Sequence, residues 1–333
     1  MRIFQSIQVQ NRKQLARFCA PAGLPLLEVE TVARHNADAH WMLKNRDGDV
    51  VARCSLWWQR TPLYGDHRLG LIGHYAAHDA EAASQLLDLA CDRLAAQGCT
   101  MAVGPMDGST WQRYRLLTER GNEPGFFLEP DNPDEWPAHF TGNGFTVLAT
   151  YVSALVTDLN RPEPRLARVA ERATVRGIRI RPLNLERFEA ELRCLYRLAL
   201  AGFEQNLLFT PIDESEFMAL YRPLRPSIRP ELSLIAERHG RPVGFVFALP
   251  DWLQAPRGES IDTVIIKTVA VHPDHRSGGL GSLLVARCHE IAHSLGYRRT
   301  IHALMHETND SRKIGRRNEA RVMRRYALFA KRI

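Results

Sequence analysis

The chain has 333 residues, more than one typical domain holds and enough for two halves that each bury a full core. Its hydrophobic residues (45%) and charged residues (24%) have the proportions of ordinary globular proteins, and no stretch approaches the ~20 apolar residues of a membrane span, so we expect no membrane association. The net charge of +7 comes largely from a basic C-terminal tail, but no recognition helix, zinc finger or aromatic-basic RNA motif accompanies it, so we expect a solvated surface or an anionic partner rather than nucleic acid.

The cysteines and the N-terminus indicate a compartment. None of the six cysteines forms a CxxC pair, which argues against a zinc ribbon and a disulfide framework. The first residues, MRIFQSIQVQNRK, lack the apolar run of a signal peptide. We therefore expect a reduced, cytoplasmic protein.

The first half predicts a hairpin, a strand, a helix and another strand, in that order. The hairpin is HWMLKNRDGDVVARCSLWW with its turn at Asp47 and Gly48, followed by RLGLIGHYAAHD, SQLLDLACDRLAAQG and TMAVGPM. A proline- and glycine-rich stretch, GNEPGFFLEPDNPDEWP, then predicts a long surface loop, and long loops of this kind are often functional.

The second half repeats this order after a proline-rich, charged junction at residues 159–172. ELSLIAERHGRPVGFVFALPDW predicts a hairpin that turns at His239 and Gly240, and DTVIIKTVAVHPDH, SLLVARCHEIAHSLG and RTIHALM follow as strand, helix and strand. We interpret this as one α/β architecture used twice, with domains at 1–160 and 161–333.

A glycine-rich loop between the strand and helix of the second half predicts an anion site. TVIIKTVAV ends at Pro273, Arg276-Ser-Gly-Gly-Leu-Gly281 follows, and apolar residues at 284, 288, 291 and 295 then form one helical stripe. Such a loop directs backbone N–H groups at a helix's positive end. The spacing fits neither a dinucleotide-binding fingerprint nor a triphosphatase loop, and a tight turn without ligand is the alternative.

The run Arg276-x-x-Gly279-x-Gly281 after V-x-V-x-P resembles the acyl-CoA-binding signature of the GNAT superfamily of N-acyltransferases. The resemblance covers residues 176–333 well and the first half in outline, so the whole is similar to a bacterial tandem-GNAT protein. It implies two domains, each a mixed, mostly antiparallel sheet flanked by helices. It also implies acetyl-CoA or another acyl-CoA as the donor.

The resemblance assigns roles to particular residues. The backbone of Val269 and Ala270 would polarise the thioester carbonyl. The residues implied to bind CoA are Val269, Ala270, Val271, Arg276, Ser277, Gly278, Gly279, Leu280, Gly281, Ser282, Asn309 and Ser311.

The usual proton-handling residues of the family are missing at the matching positions. Ile265 stands near where many relatives have a Glu, and Arg316 stands seven residues beyond Asn309 where they have a Tyr. We therefore expect no indispensable base, with Asp262 and Tyr326 as the candidate side chains and positioning of the thioester as the main source of acceleration.

The helix after the glycine loop also carries HEIAH, the spacing of a zinc helix. His289 and His293 would need a third ligand, for which only Glu307 and Glu319 lie downstream. We place both histidines on a partly exposed helix flank and expect no metal site. His302 and His306 lie at even spacing on the next strand, so we expect both rings on one side.

The first half departs from the loop pattern. Ala80, Glu81 and Ala83 stand where Gly278, Gly279 and Gly281 stand in the second half. Alanine disfavours φ > 0 and Glu81 would repel a pyrophosphate. We expect a domain that keeps the fold without a CoA site.

The acceptor implied by the family is a primary amine of a small molecule or peptide. Its cleft is expected near Phe203, Glu204, Asn206 and Phe209, although an amphipathic core helix is the alternative there. Two rival functions stay open: transfer of a longer acyl chain from CoA or an acidic acyl carrier protein, and a non-catalytic CoA-binding scaffold.

Overall fold

The structure, a computed structural model, describes residues 4–161, 163–307 and 320–333. The strands are β1 (Gln5–Gln8), β2 (Ala39–Lys44), β3 (Val50–Trp57), β4 (Leu69–Ala77), β5 (Met101–Gly104), β6 (Leu116–Glu119), β7 (Thr146–Val156), β8 (Ile178–Pro182), β9 (Leu234–Arg238), β10 (Arg241–Pro250), β11 (Thr263–Val271), β12 (Arg299–His306) and β13 (Arg321–Arg332). The α-helices are α1 (Arg12–Cys19), α2 (Val29–Arg34), α3 (Ala80–Ala96), α4 (Trp136–Gly142), α5 (Pro164–Val175), α6 (Phe188–Phe203), α7 (Glu214–Tyr221) and α8 (Leu280–Ser294).

All the strands belong to one mixed sheet. Its order is β1-β2-β3-β4-β5-β13-β7-β12-β11-β10-β9-β8, with β6 paired to β13. Within the described residues, the pairs β4·β5 and β11·β12 are parallel and the others are antiparallel. The prediction of a mostly antiparallel mixed sheet flanked by helices is confirmed.

The two halves show the same order of elements and exchange their last strands. β7 of the first half pairs with β12, and β13 of the second half pairs with β5. The boundary expected at residue 160 falls between β7 and α5, and the division into domains stays a prediction. This exchange depends on pairings between distant strands, so the sequence pattern did not reveal it.

Local chemistry explains the elements next to the glycine loop. The hairpin between β9 and β10 turns at His239 and Gly240, both with positive φ (52° and 72°), as a tight hairpin turn requires. α8 buries Leu284, Cys288 and Ala292 against the sheet, whereas Ile291 is half-buried and Leu295 is exposed. The predicted stripe is therefore confirmed at 284 and 288 and wrong at 295.

The helices cover both faces of the second half's sheet. α5 and α8 pack with β10 and β11 in one apolar cluster, and α6 and α7 pack against Phe245, Phe247 and Ala270 in another. β11 is therefore buried on both faces, which agrees with its run of β-branched residues. No helix in the described part of the chain is both long and apolar enough to cross a bilayer.

Candidate functional site

The glycine loop lies between β11 and α8 as expected. Residues Pro273–Gly278 form a short 3-10 helix, and Gly279 caps the N-terminus of α8 in the left-handed region with φ of 78°. A Cβ on Gly279 would lie 3.3 Å from Cγ2 of Val169 on α5, so the loop backbone has little space for a side chain there. The Arg276 guanidinium donates to the carbonyl of Gly202 at the end of α6.

Positive side chains surround this loop. Burial lowers the pKa of His275, and the charges of Arg238, His272 and Arg176 lower it further, while Asp274 raises it. A Cβ on Gly278 would lie 3.5 Å from Nη1 of Arg176, so this guanidinium is beside the loop. The loop thus combines the N-terminus of a long helix with several arginines, an arrangement that favours a bound anion such as a pyrophosphate.

β11 and β12 are paired along the first half of β11, and they separate along its second half, toward the glycine loop. Their paired residues run from Thr263 with Arg299 to Ile266 with His302, and within the described residues the pairing ends there. β10 stays paired to β11 as far as Val271. The β12-facing edge of β11 after Ile266 is therefore free to hydrogen-bond an extended ligand.

A β-bulge lies at the point of separation. Phe247 pairs with Thr268 and the next residue of β10 pairs with Ile266, so Lys267 has no partner on β10. Such a bulge turns two successive side chains to one face of a sheet. Lys267 and Thr268 accordingly point toward the loop at 121–137 and toward α7.

β12 is irregular opposite this bulge. Leu304 has φ of 58°, its N–H donates to Ser153 Oγ at 3.0 Å, and its carbonyl accepts from Arg115 at 3.2 Å. Arg115 in turn lies between the rings of Tyr114 and Tyr151, 3.8 and 4.0 Å from their centroids. Side chains of the first half thus satisfy the backbone of β12 where the two strands separate.

Lys267 is the titratable group at the centre of this site. Its Nζ donates to the carbonyl of Leu128 at 3.1 Å. Burial and the charge of Arg115 lower the pKa of Lys267 to about 7, although the carboxylate of Glu129 opposes the shift. A large fraction of this amine is therefore neutral near pH 7.

Glu129 is a buried carboxyl group that ties the long loop to β13. It accepts from the hydroxyl of Tyr326 and, at 3.1 Å, from Arg324. Burial raises its pKa, while Tyr326 and Arg324 lower it. The Tyr326 hydroxyl also lies 3.1 Å from Ser153 Oγ, so a hydrogen-bonded chain runs from the backbone of Leu304 to Glu129.

The candidate side chain Asp262 lies at the other end of β11. Its carboxylate accepts from Gln254, Thr263 and Arg299 at 2.8, 2.8 and 3.1 Å. Burial opposes the shift, but these hydrogen bonds hold its pKa below the ordinary range. The structure does not bring Asp262 together with Tyr326, and its contacts are those of a strand-end anchor.

These positions predict modest effects for both sequence-derived candidates. We expect Tyr326→Phe and Asp262→Asn each to lower kcat by less than ~100-fold, the lower bound for losing a general acid or base. The reason is that both side chains are engaged in structural contacts, Tyr326 with Glu129 and Ser153 and Asp262 with three groups at the start of β11. Steady-state kinetics with CoA affinity measured in parallel checks this, and a loss of ~1,000-fold in either variant would make that residue a dedicated proton carrier.

The expected acceptor segment meets an aromatic residue of the first half. Phe203 and Phe209 lie 5.8 and 6.0 Å from the Trp111 ring, whose Nε1 donates to the carbonyl of Thr210 at 2.8 Å. Glu204 and Asn206 are exposed. The segment therefore joins the two halves beside the site, with its aromatic members packed and its polar members in solvent.

An apolar cavity lies behind Thr268. Phe247 is paired with Thr268 in the sheet, and the hydroxyl of Tyr221 interacts with the Thr268 side chain. Phe247 and Tyr221 line a narrow cavity of about 20 Å³ together with Phe188, Leu192, Leu195 and Phe217. A group that projects from the bulge toward α6 and α7 meets an apolar wall.

The zinc-like histidines do not converge. His289 is buried, 3.0 Å from both His302 Nε2 and Thr300 Oγ1, whereas His293 is exposed. The expectation of an exposed flank is wrong for His289, because the strand β12 covers that face of α8. The expectation that His302 and His306 share a side is also wrong, because the bulge at Leu304 intervenes and His306 contacts Tyr151 instead.

The counterpart of the glycine loop in the first half is short. Only His78 and Asp79 separate β4 from α3, whereas residues 272–279 separate β11 from α8. The Asp79 carboxylate accepts from the N–H of Ala82 at 2.8 Å, so a side chain already caps this helix. Ala80, Glu81 and Ala83 lie in the first turn of α3 rather than in a loop.

Some of the expected site residues lie outside the part of the chain that the structure describes. Asn309, Ser311, Arg316 and Glu319 fall outside the described residues, as does the side chain of Ser277.

The described part of the basic tail forms ion pairs with the rest of the chain. Arg321 pairs with Glu123, Arg324 pairs with Glu129, and Arg325 pairs with both Glu119 and Glu307. These arginines stabilise the chain's own fold.

Sequence reasoning missed Lys267, Glu129, Arg115 and Ser153. The sequence did contain a signal for Lys267, because it is the charged residue inside the apolar run TVIIKTVAV. A lysine in a strand that is buried on both faces requires a specific reason for its burial. The other three come from the first half, and nothing in their local sequence indicates that they meet β11 and β12.

Comparisons with known proteins agree with this geometry. Residues 194–313 match the model of the acetyltransferase (GNAT) family. The chain is 30% identical over 220 residues to a bacterial ceramide synthase from Caulobacter vibrioides; the match covers 65% of this chain and 57% of that protein, so the chain spans little more than half of its relative.

Solved structures share the fold at low identity. A tandem GNAT protein from the clavulanic acid biosynthesis pathway superposes with a TM-score of 0.51 and 12% identity, over 99% of this chain and 98% of that one. A GCN5-related N-acetyltransferase from Anabaena variabilis gives a TM-score of 0.57 and 9% identity, over 99% and 72% of the two chains. These two likenesses concern the fold alone.

Proposed function

The second half of this chain carries a GNAT-family acyltransferase domain, and we propose that the protein transfers an acyl group from an acyl-CoA to the primary amine of a small molecule or peptide. The observation that supports this most is the bulge at Lys267 on the free edge of β11, in line with the glycine loop at the end of the same strand. One strand thus connects the loop that we propose to bind an anion with a buried, partly neutral amine.

The donor is proposed to bind along β11. The loop from Arg276 to Ser282 and the start of α8 would hold the pyrophosphate, and the N–H and carbonyl groups of Val269 to Val271 would pair with the pantetheine arm. An amide of this free edge, held rigid by β10, would donate to the thioester oxygen as negative charge develops there.

The acceptor is proposed to enter between the halves. The packed rings of Trp111, Phe203 and Phe209 would form one side of this entrance, and the loop at 121–137, which contacts Lys267 through Leu128, would form the other. An incoming ammonium must lose a proton before it attacks the thioester. The neutral form of Lys267 is the group we assign to accept that proton, in place of the base-free mechanism that the sequence suggested.

The surrounding residues would keep Lys267 available for this role. The carbonyl of Leu128 fixes its Nζ, and Glu129 holds that carbonyl in place through Tyr326 and Arg324. Burial, with the charge of Arg115, keeps the pKa of Lys267 low. Between the charges of Arg115 and Glu129, the amine of Lys267 would then be able to take up a proton near neutral pH.

A second candidate function differs in the length of the acyl chain. One relative is named a ceramide synthase, and a ceramide is a fatty amide. In this chain, the apolar residues behind Thr268 would give a longer acyl chain a wall to follow once their side chains move. An acidic acyl carrier protein as the donor has less support, because Arg321 and Arg325 of the tail form ion pairs within the chain.

The test is turnover of acyl-CoA thioesters of increasing chain length with a panel of primary amines. Free thiol is measured continuously and products are identified by mass spectrometry. Amide formation that requires both the amine and the intact glycine loop supports the proposal, and the preferred chain length decides between the two candidates. Tight CoA binding without turnover of any thioester would instead support the non-catalytic scaffold.

A further inference from the structure

The first half holds a cluster of polar residues at the place that corresponds to the Lys267 bulge. β4 is irregular there, because its register with β3 shifts between Arg53 and Ser55, and His74 adopts φ of 47°. A histidine in the left-handed region is uncommon and is strained unless its surroundings fix it. Neither acyl transfer nor the CoA loop uses this cluster.

Three potential ligands converge at His74 from separate elements. His35 follows α2, His74 lies on β4, and Asp107 follows β5. His35 Nδ1 is 2.8 Å from His74 Nε2, a carboxylate oxygen of Asp107 is 4.0 Å from the same nitrogen, and one atom from each residue lies within 4.8 Å of the others. Of the described residues, this is the one group of at least three such side chains that could hold a metal ion.

Both histidines are held in place by hydrogen bonds other than the one between them. His74 Nδ1 is 2.8 Å from Ser55 Oγ, which is itself 2.7 Å from His40 Nδ1. His35 is held through its backbone, because the Trp57 indole donates to the His35 carbonyl at 2.8 Å, and its side chain interacts with that of Gln112. Metal-binding histidines are held in the same way, because a hydrogen bond at the far nitrogen fixes the tautomer and aims the near one.

A metal ion would replace the direct contact between the two rings. His35 Nδ1 and His74 Nε2 are 2.8 Å apart, so one of them carries the hydrogen of a mutual hydrogen bond. On metal binding that hydrogen would move to the far nitrogen of its own ring, and each near nitrogen would then offer a lone pair. The Asp107 carboxylate, which also accepts from the backbone N–H of His74, would supply the third ligand atom.

We propose that His35, His74 and Asp107 bind one divalent transition-metal ion, of which zinc fits the ligands best. Two imidazole nitrogens and one carboxylate oxygen suit zinc and disfavour magnesium and calcium, which require oxygen ligands throughout. Three protein ligands would leave a fourth coordination position open, and His35 is the partly exposed member of the three. The proposal is independent of the acyl transfer and of the HEIAH helix.

The chain supplies a matched control in its second half. His289 and His302 also form a buried, hydrogen-bonded pair, with ring centroids 5.1 Å apart against 5.0 Å for His35 and His74. Their third neighbour is the hydroxyl of Thr300 rather than a carboxylate. The two pairs therefore differ mainly in the third ligand.

The experiment measures the metal content of the full chain purified without chelators. We expect about one zinc per chain in the wild type, a loss of at least 90% in His35→Gln and Asp107→Asn, and no change in His289→Gln. Circular dichroism of each variant shows whether it is folded. Zinc that follows His289 instead would overturn the assignment.

A second measurement covers the case in which a variant does not fold. The wild-type protein, stripped of metal and shown to be folded, is titrated with cobalt(II). We expect one equivalent to give the visible absorption of a four-coordinate site, and zinc to displace it. Folded wild-type protein that takes up neither metal above background would show that His35 and His74 are joined by a direct hydrogen bond alone, and the proposal would be wrong.

Discussion

Gly279→Glu is expected to abolish CoA binding. The left-handed φ of 78° is strained for a glutamate, and its Cβ would press on Val169 at 3.3 Å. Its carboxylate would also lie at the helix start where the pyrophosphate is proposed to bind, and like charges brought together in this way cost several kcal/mol. We therefore expect affinity for CoA to fall by at least ~100-fold.

Calorimetric titration with CoA measures this effect, with circular dichroism to confirm folding. The matched control is Gly296→Glu, because Gly296 follows the opposite end of α8 with φ of 90° and open space around it. Gly296→Glu introduces the same backbone strain and the same negative charge as Gly279→Glu, but far from the glycine loop. CoA affinity should therefore stay within ~3-fold of the wild type.

The first half provides a second control. Asp79 already caps α3, so Glu81→Gln should leave CoA binding unchanged. A stoichiometry of two CoA per chain, with one equivalent surviving in Gly279→Glu, would show that the first half binds CoA and that our interpretation of its short loop is wrong.

The glycine loop could be predicted because its evidence is local. Pro273, the glycines and the stripe of α8 lie within one stretch of chain, and each acts on backbone geometry nearby. The hairpin turns were predictable for the same reason. The resemblance then supplied the remaining order of strands, apart from the exchange of β7 and β13.

The proton-handling residues could not be predicted in this way. Lys267 meets Leu128, which lies far away in the sequence, and Arg115 reaches Leu304 across an even longer separation. The bulge that turns Lys267 to this face is a shift of register between β10 and β11, and such a shift leaves no regular trace in a hydrophobic pattern. His289 was misplaced for a related reason, because the strand that buries it comes later in the chain.

Lys267→Met is expected to remove most of the activity. Methionine keeps an unbranched side chain of similar length but cannot accept a proton. We expect kcat/KM for the amine to fall by ~10²- to 10⁴-fold, the range for losing a general base. Calorimetric affinity for CoA should stay unchanged, because the side chain points away from the glycine loop toward Leu128.

The pH dependence should identify the group. Since the pKa of Lys267 is lowered to about 7, the neutral amine forms as pH rises through 7, and the wild-type kcat should rise with it. The fall in kcat on the acid side of this profile, its acid limb, should be absent in Lys267→Met. Lys267→Arg should be as inactive as Lys267→Met, because a guanidinium stays charged.

Stability separates this role from a structural one. The folded pKa of Lys267, about 7, lies below the unfolded value of a lysine, so the unfolded chain binds more protons between about pH 7 and pH 10. The buried amine therefore destabilises the fold most at and below pH 7, and this penalty fades as pH rises through that window. Lys267→Met should lose this slope and be at least as stable as the wild type at pH 7 in urea titrations. A variant that is stable, binds CoA and keeps both the wild-type kcat/KM and the acid limb would show that another group takes the proton from the amine.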